Sequence, residues 1–328
     1  MKLLAGKRLY CSFLLAAFLL LQVRVAYSCD ACSSNMGSFY PGVADYGNSF
    51  VSFTSTVRTY GVYIPSGYRW MTSGNQNGGH QHPVFEKSAY YDQSHIAHEL
   101  RFSYSMKNVT LGVFLPLMQK KLFRNEELVE NNIGLGDMRF TVLYRAVNRK
   151  NATGAVTNRF FAGAGFSIPT GESGETGYDG MIEPSRQTGA GTISFLLNAA
   201  YQLNVKKFGA QAQSVFQTFD ADSKGYRFGN AYNFSMRAYY ELEAGKLMLT
   251  PSIGINLEVA GKDKLNGAYY SLDTGGKRVF CPAGIDVYWK PIGISFTWNL
   301  PVSEQLNGLQ FEGKQFFTAG LRYVFKKT

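Results

Sequence analysis

Hydrophobic and polar residues alternate along the stretch Gly136–Val147. The apolar positions are Met138, Phe140, Val142, Tyr144 and Ala146. The positions between them are Asp137, Arg139, Thr141, Leu143 and Arg145, of which only Leu143 is apolar. Side chains of an extended strand point alternately to opposite faces, so this pattern predicts a strand with one apolar and one polar face.

The same alternation recurs along the chain and predicts twelve strands. Most of these segments have 9–13 residues, close to the ~9–11 residues with which a tilted strand crosses a bilayer. No stretch sustains the spacing of an amphipathic helix. The predicted strands are Ser49–Tyr60, His95–Met106, Val109–Leu117, Gly136–Val147, Asn158–Ile168, Gly191–Leu203, Phe208–Thr218, Ala231–Glu243, Leu247–Val259, Arg278–Trp289, Ile292–Leu300 and Gln315–Phe325.

The connections between these segments alternate between long and short. The six long ones are 61–94, 118–135, 169–190, 219–230, 260–277 and 301–314. The five short ones are 107–108, 148–157, 204–207, 244–246 and 290–291. Long loops at one end and tight turns at the other are typical of outer-membrane barrels, whereas a soluble sandwich has no reason to keep this order. Alternation alone does not separate these two architectures; the loop lengths do.

The composition agrees with an all-β chain. Aromatic residues make up 15% of the sequence, glycine occurs 35 times and charged residues are only 17%, which favours many strands and turns. Aromatic residues also cluster near the ends of the predicted strands, where membrane interfaces place them. We therefore predict a single antiparallel up-and-down transmembrane β-barrel of about twelve strands, with long extracellular loops and short periplasmic turns.

The first 28 residues have the features of a secretory signal peptide. Lys2, Lys7 and Arg8 precede an apolar run from Leu9 to Leu21, and the segment ends in Ala26-Tyr27-Ser28. The apolar run is shorter than the ~20 residues of a spanning helix. The expected domains are a signal peptide (1–28), a periplasmic N-terminal segment (29–48) and the barrel (49–328). The expected location is the outer membrane of a Gram-negative bacterium, reached by signal-peptide export.

The formal net charge is +10, and loss of the four basic residues of the signal peptide lowers it to +6. This excess is spread along the chain and forms no basic block suited to a phosphate backbone. We therefore expect no nucleic-acid partner. The expected partners are outer-membrane lipids, a small solute of unknown identity and the barrel-assembly machinery that inserts such chains.

Two short stretches carry a resemblance to a known family. The segments 134–145, Gly-Leu-Gly-Asp-Met-Arg-Phe-Thr-Val-Leu-Tyr-Arg, and 162–171, Ala-Gly-Ala-Gly-Phe-Ser-Ile-Pro-Thr-Gly, resemble bacterial outer-membrane transporter-type barrels, including those named for phenol-degradation pathways. Cys29-Asp-Ala-Cys32 followed by Phe39-Tyr-Pro-Gly42 resembles a Bacteroidetes branch of that set. The resemblance implies passage of a small solute and does not identify it.

Reading the polar faces inward places a set of charged and amide side chains in the lumen. Opposed acids and arginines could line a narrow selective channel, or they could pair and close the interior. Both interpretations stand at this point. The predicted lumen residues are Arg58, Glu99, Arg101, Asp137, Arg139, Arg145, Gln211, Gln213, Arg237, Glu241, Asn256, Glu258, Asp286 and Arg322, with Glu99, Arg101, Asp137, Arg139, Arg145, Arg237 and Glu241 the candidates for selectivity.

No cofactor is expected, although two pairs of residues are candidate metal ligands. Cys29 and Cys32 could form a disulfide or thiol pair, lipidation could modify Cys29, or the two thiolates could bind a soft metal such as copper. His80 and His82 in the first long loop could chelate a metal, or could simply belong to a polar, glycine-rich loop. The two pairs lie at opposite ends of the predicted barrel, so they cannot form one site.

A hydrolase is the third functional interpretation, after a channel and a closed structural or surface-interaction barrel. Outer-membrane lipid hydrolases work with a serine and a histidine. The only candidates here are His98 with Ser103 or Ser105, and the period of a strand puts His98 on the face opposite to both serines. We therefore expect no enzymatic activity.

Overall fold

The computed structural model describes residues 47–68, 86–174, 184–269 and 273–327. These residues form seventeen strands and one turn of 3₁₀-helix at Pro184–Arg186. No helix in these ranges is long and apolar enough to span a membrane. The strands are β1 (Asn48–Ile64), β2 (Ala89–Met106), β3 (Val109–Arg124), β4 (Glu127–Leu135), β5 (Met138–Lys150), β6 (Val156–Ile168), β7 (Ser194–Val205), β8 (Phe208–Phe219), β9 (Tyr226–Arg227), β10 (Ala231–Tyr240), β11 (Leu242–Ala244), β12 (Leu247–Ala260), β13 (Lys264–Leu265), β14 (Ala268–Tyr269), β15 (Gly276–Trp289), β16 (Ile292–Leu306) and β17 (Glu312–Lys327).

The large sheet closes on itself. Sequential strands pair antiparallel around the sheet, β1 pairs with β17, and β10 pairs with β12. Strands β4 and β5 together act as one barrel strand, because β3 pairs with β5 in its first half and with β4 in its second. Strands β10 and β11 are likewise two parts of one strand along β12. The result is the predicted twelve-stranded antiparallel barrel, and the fold prediction is confirmed.

Outward side chains are apolar and inward side chains are mostly polar. On β5, Val142 is 51% exposed and Tyr144 is 53% exposed, whereas Arg139 is only 5% exposed. The same division holds on the other strands, where large exposed apolar residues alternate with buried Ser, Thr, Gln, Glu and Arg. A soluble sheet protein would bury the apolar face; here the buried face is the polar one, as in a membrane barrel.

The strands extend further than the alternation predicts at the end that carries the long loops. Residues 118–135, predicted to be a loop, form a β-hairpin instead: β3 runs to Arg124, β4 begins at Glu127, and Asn125 and Glu126 make the turn with positive φ. Outside the apolar band both faces of a strand meet water, so polar residues occupy both faces. The alternation of hydrophobic and polar residues therefore disappears from the sequence there, although the backbone pairing continues. Two of the short turns are as predicted, since Lys107-Asn108 joins β2 to β3 and Lys290-Pro291 joins β15 to β16. The other three, predicted at 148–157, 204–207 and 244–246, are shorter and span 151–155, 206–207 and 245–246.

A glycine allows β5 and β6 to approach closely. A β-carbon built on Gly163 would overlap the carbonyl oxygen of Val142 in the neighbouring strand. Ala164, the next residue, is exposed on the outward face. The pairing of these two strands therefore depends on the missing side chain at Gly163.

We expect Gly163→Val to abolish most of the folded barrel, because the new side chain must displace backbone that is hydrogen-bonded. The measurement is the difference in electrophoretic mobility between unheated and boiled protein. Ala164→Val is the matched control and should keep the mobility difference of the wild type. A folded Gly163→Val barrel of normal heat stability would contradict this account of the β5–β6 contact.

Candidate functional site: the charged lumen

Three arginines lie on one row that crosses neighbouring strands inside the barrel. The pairing registers join Arg322 of β17 to Ser52 of β1, and Ser52 to Arg101 of β2. The row continues from Arg101 to Phe114 of β3 and from Phe114 to Arg139 of β5. All five side chains are buried or half-buried in the interior. The row then reaches Ser167 of β6 and Ser194 of β7, which bond each other at 2.6 Å.

Aromatic rings and one carboxylate hold these arginines in place. The guanidinium carbon of Arg101 lies 4.2 Å from the ring centre of Phe114, and that of Arg139 lies 4.9 Å from the same ring. Arg139 forms an ion pair with Glu99, which is also buried. Contact with an aromatic face attracts a cation. We call Arg101, Arg139 and Arg322 the arginine row.

A second group of charges lies nearer the long-loop end. Arg58 pairs with Glu258 at 3.0 Å across several intervening strands, and Arg278 pairs with Glu304 at 3.1 Å. The Arg278 guanidinium also lies 5.3 Å from the ring of Tyr60. The two acids balance these two arginines.

The remaining predicted selectivity residues lie elsewhere in the barrel. Arg237 faces the interior and donates from Nη1 to Thr297 Oγ1 at 3.3 Å. Arg145 faces inward but lies at the short-turn end, where it donates to the carbonyl oxygen of Lys107 at 2.8 Å. Glu241 lies at the same end, between β10 and β11, and is half-buried. Thus Glu99, Arg101 and Arg139 come together, whereas Arg145, Arg237 and Glu241 do not join them.

Asp137 faces inward and fastens a loop to the barrel wall. Its two carboxylate oxygens accept hydrogen bonds from the backbone N–H groups of Gly171, at 3.1 Å, and Ala190, at 2.8 Å. The hydroxyl of Thr170 donates to the carbonyl oxygen of Gly136 at 2.8 Å beside them. The two ends of the 169–193 connection are therefore drawn inward next to Asp137. Sequence reasoning predicted a long loop at 169–190 but did not identify Asp137 as its anchor.

The 3₁₀ turn of this connection is held against the upper parts of β3 and β4. Arg186 pairs with Glu130 at 2.8 Å, and its carbonyl oxygen accepts a hydrogen bond from Asn132 at 3.1 Å. Lys120 donates to the carbonyl oxygen of Ser185 at 2.8 Å. These contacts involve β4, the strand that the sequence pattern did not reveal, and so they could not be anticipated.

Two apolar clusters stand on opposite walls of the barrel at its long-loop end. The first rim cluster consists of Val62, Ile64, Ala89, Tyr91 and Leu122, with Tyr68 and Phe311 packed against it. The second rim cluster consists of Ala190, Phe219, Tyr226, Phe228, Ala231 and Ala260. Tyr68, in the loop after β1, donates to Asp273 at 2.8 Å, and burial together with this hydrogen bond raises the pKa of Tyr68 above its usual range. The loops are thus tied to one another across the mouth.

Several buried polar atoms inside the barrel have no hydrogen-bond partner among the described residues. They include Gln93 Oε1, His95 Nδ1, Asn198 Nδ2, Thr250 Oγ1 and Ser252 Oγ. Buried polar atoms of proteins are otherwise almost always hydrogen-bonded, to protein or to water. These atoms are distributed over several strands and are polar groups with which water or a polar solute could form hydrogen bonds.

The described residues hold no group of three or more side chains suited to a metal ion. Cys29, Cys32, His80 and His82 lie outside these residues, as does the predicted signal peptide. His98 faces outward, 5.8 Å from the ring of Phe53, while Ser103 and Ser105 are buried inside. The histidine and the serines are therefore on opposite faces, and they cannot form a dyad.

Comparison with known proteins gives a fold but no family. No family model matches the sequence, and no curated protein sequence matches it. Among solved structures, an outer membrane channel from Pseudomonas putida F1 superposes with a TM-score of 0.62 at 12% identity, covering 88% of this chain and 100% of that one. The transport unit of the autotransporter AIDA-I from Escherichia coli gives a TM-score of 0.48 at 11% identity, covering 91% and 100% of the two chains. The chain has the fold of an outer-membrane β-barrel.

We expect Asp137→Asn to loosen the inward loop, because the amide offers one acceptor instead of two and carries no charge. A charge-assisted hydrogen bond contributes about 1.5–3 kcal/mol, so exchange of the backbone amides of residues 184–190 should accelerate roughly tenfold. Hydrogen exchange followed by mass spectrometry measures this rate. Asp220→Asn is the control, since Asp220 bonds its neighbour Ala221 in an exposed loop. Unchanged exchange in Asp137→Asn would show that the anchor does not hold the loop.

Proposed function

We propose that the protein is an outer-membrane channel that passes a small anionic solute through a narrow, charged lumen. The observation that carries this proposal is the arginine row. Three guanidinium groups lie on one row across neighbouring strands inside a closed barrel, and one of them, Arg139, pairs with Glu99. Rings of arginine or lysine favour anions over cations in pores.

The mechanism would be diffusion past this level. An anion that leaves bulk water loses hydration, and the N–H donors of Arg101, Arg139 and Arg322 offer replacement hydrogen bonds. The hydroxyls of Ser52, Ser167 and Ser194 lie on the same row and extend it along the wall. Because the donors are spread over several strands, the solute can move from one to the next, which conduction requires.

The same proposal includes the location of the protein, its partners and its family resemblance. The location would be the outer membrane of a Gram-negative bacterium, reached with the signal peptide and the barrel-assembly machinery, with membrane lipids around the barrel. The short motifs at 134–145 and 162–171 support kinship with phenol-pathway barrels, and Cys29-Asp-Ala-Cys32 supports the Bacteroidetes branch. We assign no enzymatic activity and no cofactor; metal binding by Cys29 and Cys32 or by His80 and His82 remains a separate proposal.

A closed barrel with a structural or surface-interaction role is the second candidate. The observation that favours it is burial: Arg278 is 0% exposed and Glu258 is 4% exposed, although both face the lumen. The inward loop held by Asp137, Glu130 and Lys120 also narrows the interior. In this alternative the charges pair to fill the barrel, and the long loops carry the activity.

Single-channel recording in a planar bilayer separates the two candidates. We expect the purified full-length protein to produce discrete conductance steps, with a reversal potential in a salt gradient that indicates preference for chloride over potassium. Protein that inserts and gives no steps at any voltage would rule out the channel. Steps with cation preference would overturn the role of the arginine row while leaving the channel intact.

Arg322→Gln tests the row itself. Loss of one of its three charges removes roughly 0.5–1 kcal/mol of screened attraction for an anion, so the anion-to-cation permeability ratio should fall about twofold to fivefold. Arg322 is chosen because Arg139 pairs with buried Glu99, and removal of Arg139 would leave a buried charge without its counterion. Lys246→Gln, in the exposed turn between β11 and β12, is the matched control and should leave the ratio unchanged.

A further inference from the structure

A group of polar side chains lies on a part of the inner wall that does not contribute to the arginine row. This part consists of four neighbouring strands, β10, β12, β15 and β16. Arg237 of β10 is opposite Gly254 of β12. Ser252 of β12 is opposite Gly284 of β15, and Gly284 is opposite Thr297 of β16. All of these positions are on the inward face of their strands, so this wall has an arginine of its own.

Two glycines give the Arg237 side chain room to lie along the wall. A β-carbon on Gly254 would be 2.9 Å from Cγ of Arg237, so the arginine stem occupies the space that a side chain there would fill. The guanidinium reaches past β12 and β15 and donates from Nη1 to Thr297 Oγ1 at 3.3 Å. A β-carbon on Gly284 would be 2.8 Å from the same hydroxyl. The arginine and the threonine therefore meet above a floor of two glycines.

The hydroxyl of Ser252 lies beside this contact and has no hydrogen-bond partner among the described residues. Its Oγ would be 3.3 Å from a β-carbon on Gly284, where Thr297 also lies. The neighbours in register explain the missing partner, because Gly284 has no side chain and the hydroxyl of Tyr239 donates to Asn204 at 2.8 Å. Ser252 is 9% exposed. A buried hydroxyl is costly unless water or a solute forms a hydrogen bond with it.

Two further residues on the inner face of β12 repeat this pattern. Thr250 is 2% exposed and Asn256 is 7% exposed. The side-chain oxygen of each lacks a hydrogen-bond partner within the described part of the chain. Asn256 donates from its amide nitrogen to Asn299 at 3.0 Å, which leaves its oxygen as an acceptor. Together with Ser252, these residues place three oxygen atoms along one strand. Such a line suits a solute with hydroxyl groups, because a hydroxyl both donates and accepts.

The contact between Arg237 and Thr297 can be replaced by a stronger one. Arg237 donates to a neutral hydroxyl at 3.3 Å, whereas Arg58 pairs with Glu258 at 3.0 Å. An arginine can form two parallel hydrogen bonds with a carboxylate, and the opposite charges add to the attraction. A carboxylate that enters the lumen can therefore displace Thr297 as the partner of Arg237. This exchange would also uncover the hydroxyl of Ser252.

One acid lies close to this part of the wall. Asp286 is two residues from Gly284 on the same face of β15 and is 1% exposed. It attracts Arg237 electrostatically, so it offsets part of the positive charge. Hydrogen bonding, and not charge alone, therefore decides which anions this wall accepts.

We propose that this wall binds a small carboxylate that also carries hydroxyl groups, such as a sugar acid. Arg237 would bind the carboxylate, and the oxygens of Thr250, Ser252 and Asn256 along β12 would form hydrogen bonds with the hydroxyls. Thr297 is a positioning residue, because it holds Arg237 against the wall before the solute arrives. The inference rests on the proposed function, since the solute must enter the lumen, and it narrows the class of anion that passes.

Three acids with the same carbon skeleton test the site. Propionate, lactate and glycerate carry no, one and two hydroxyl groups. Saturation-transfer difference NMR measures their binding to the purified full-length protein in detergent. We expect the affinity to rise about fivefold from propionate to lactate, because the hydroxyl satisfies one buried oxygen, and to rise again with glycerate. Glycerol, which has hydroxyls but no carboxylate, should bind at least about tenfold more weakly than glycerate.

Three variants separate the roles of the side chains. Ser252→Ala should lower the lactate-to-propionate affinity ratio at least about twofold and leave propionate binding unchanged. Arg237→Gln should weaken all three acids about tenfold. Thr297→Val should strengthen all three about twofold, because it removes the competing partner of Arg237; a purely structural threonine would not have this effect. The matched controls are Ser103→Ala, a buried hydroxyl on β2, and Arg149→Gln, an exposed arginine at the short-turn end. Both should bind like the wild type.

Equal affinity of the wild type for the three acids would overturn the proposal, as would an unchanged lactate preference in Ser252→Ala. The serine variant keeps every charge, so the test stands even if Arg237→Gln does not fold. Reversal potentials in a planar bilayer, with chloride on one side and each acid on the other, measure passage separately. Protein that conducts chloride but shows no hydroxyl preference keeps the channel and loses this site. Protein that prefers lactate to propionate in binding but does not conduct keeps the site and loses the channel.

Discussion

The pairing of β1 with β17 is the constraint on which the rest of the structure depends. A bilayer core offers no water to hydrogen-bond a free strand edge, so a sheet can cross it only when its edges meet. The register joins Asn48 to Lys327 at one end and Gly61 to Glu312 at the other. Closure creates an inside and an outside, and the period of 2 along each strand then assigns every side chain to one of them. Without this closure, the alternation in Gly136–Val147 would not separate a side that faces the lumen from a side that faces the membrane.

The buried arginines inside the barrel have different partners at different levels. At the arginine row, aromatic rings and Glu99 stabilise the guanidinium groups. Nearer the long loops, Arg58 and Arg278 have their own carboxylates. Unpaired charge is costly in a poorly hydrated interior, and the arginines at both levels have aromatic or carboxylate partners.

The long-loop end is held together by inward contacts. The small sheet of β9, β13 and β14 brings Tyr226 to the second rim cluster, and the hydroxyl of Tyr226 donates to Asp263. The Asp137 anchor brings Ala190 into the same cluster. One cluster of inward contacts therefore joins the loop anchored by Asp137 to the small sheet. These contacts all lie within the described residues, and each joins segments that are far apart in the sequence.

The sequence by itself determined the number of strands, their alternating faces and the end at which the long loops lie, because these properties follow from a period of 2 and from connection lengths, both of which are local. It also identified Glu99, Arg101, Arg139 and Arg322 as inward residues. Only the tertiary structure decided which of them meet: the row depends on the register between strands, which no single segment encodes. It also revealed the β3–β4 hairpin and the anchoring role of Asp137. Beyond the apolar band both faces of a strand meet water, so the alternation of hydrophobic and polar residues is lost there. Only the pairing of backbones between neighbouring strands then determines where the strands end.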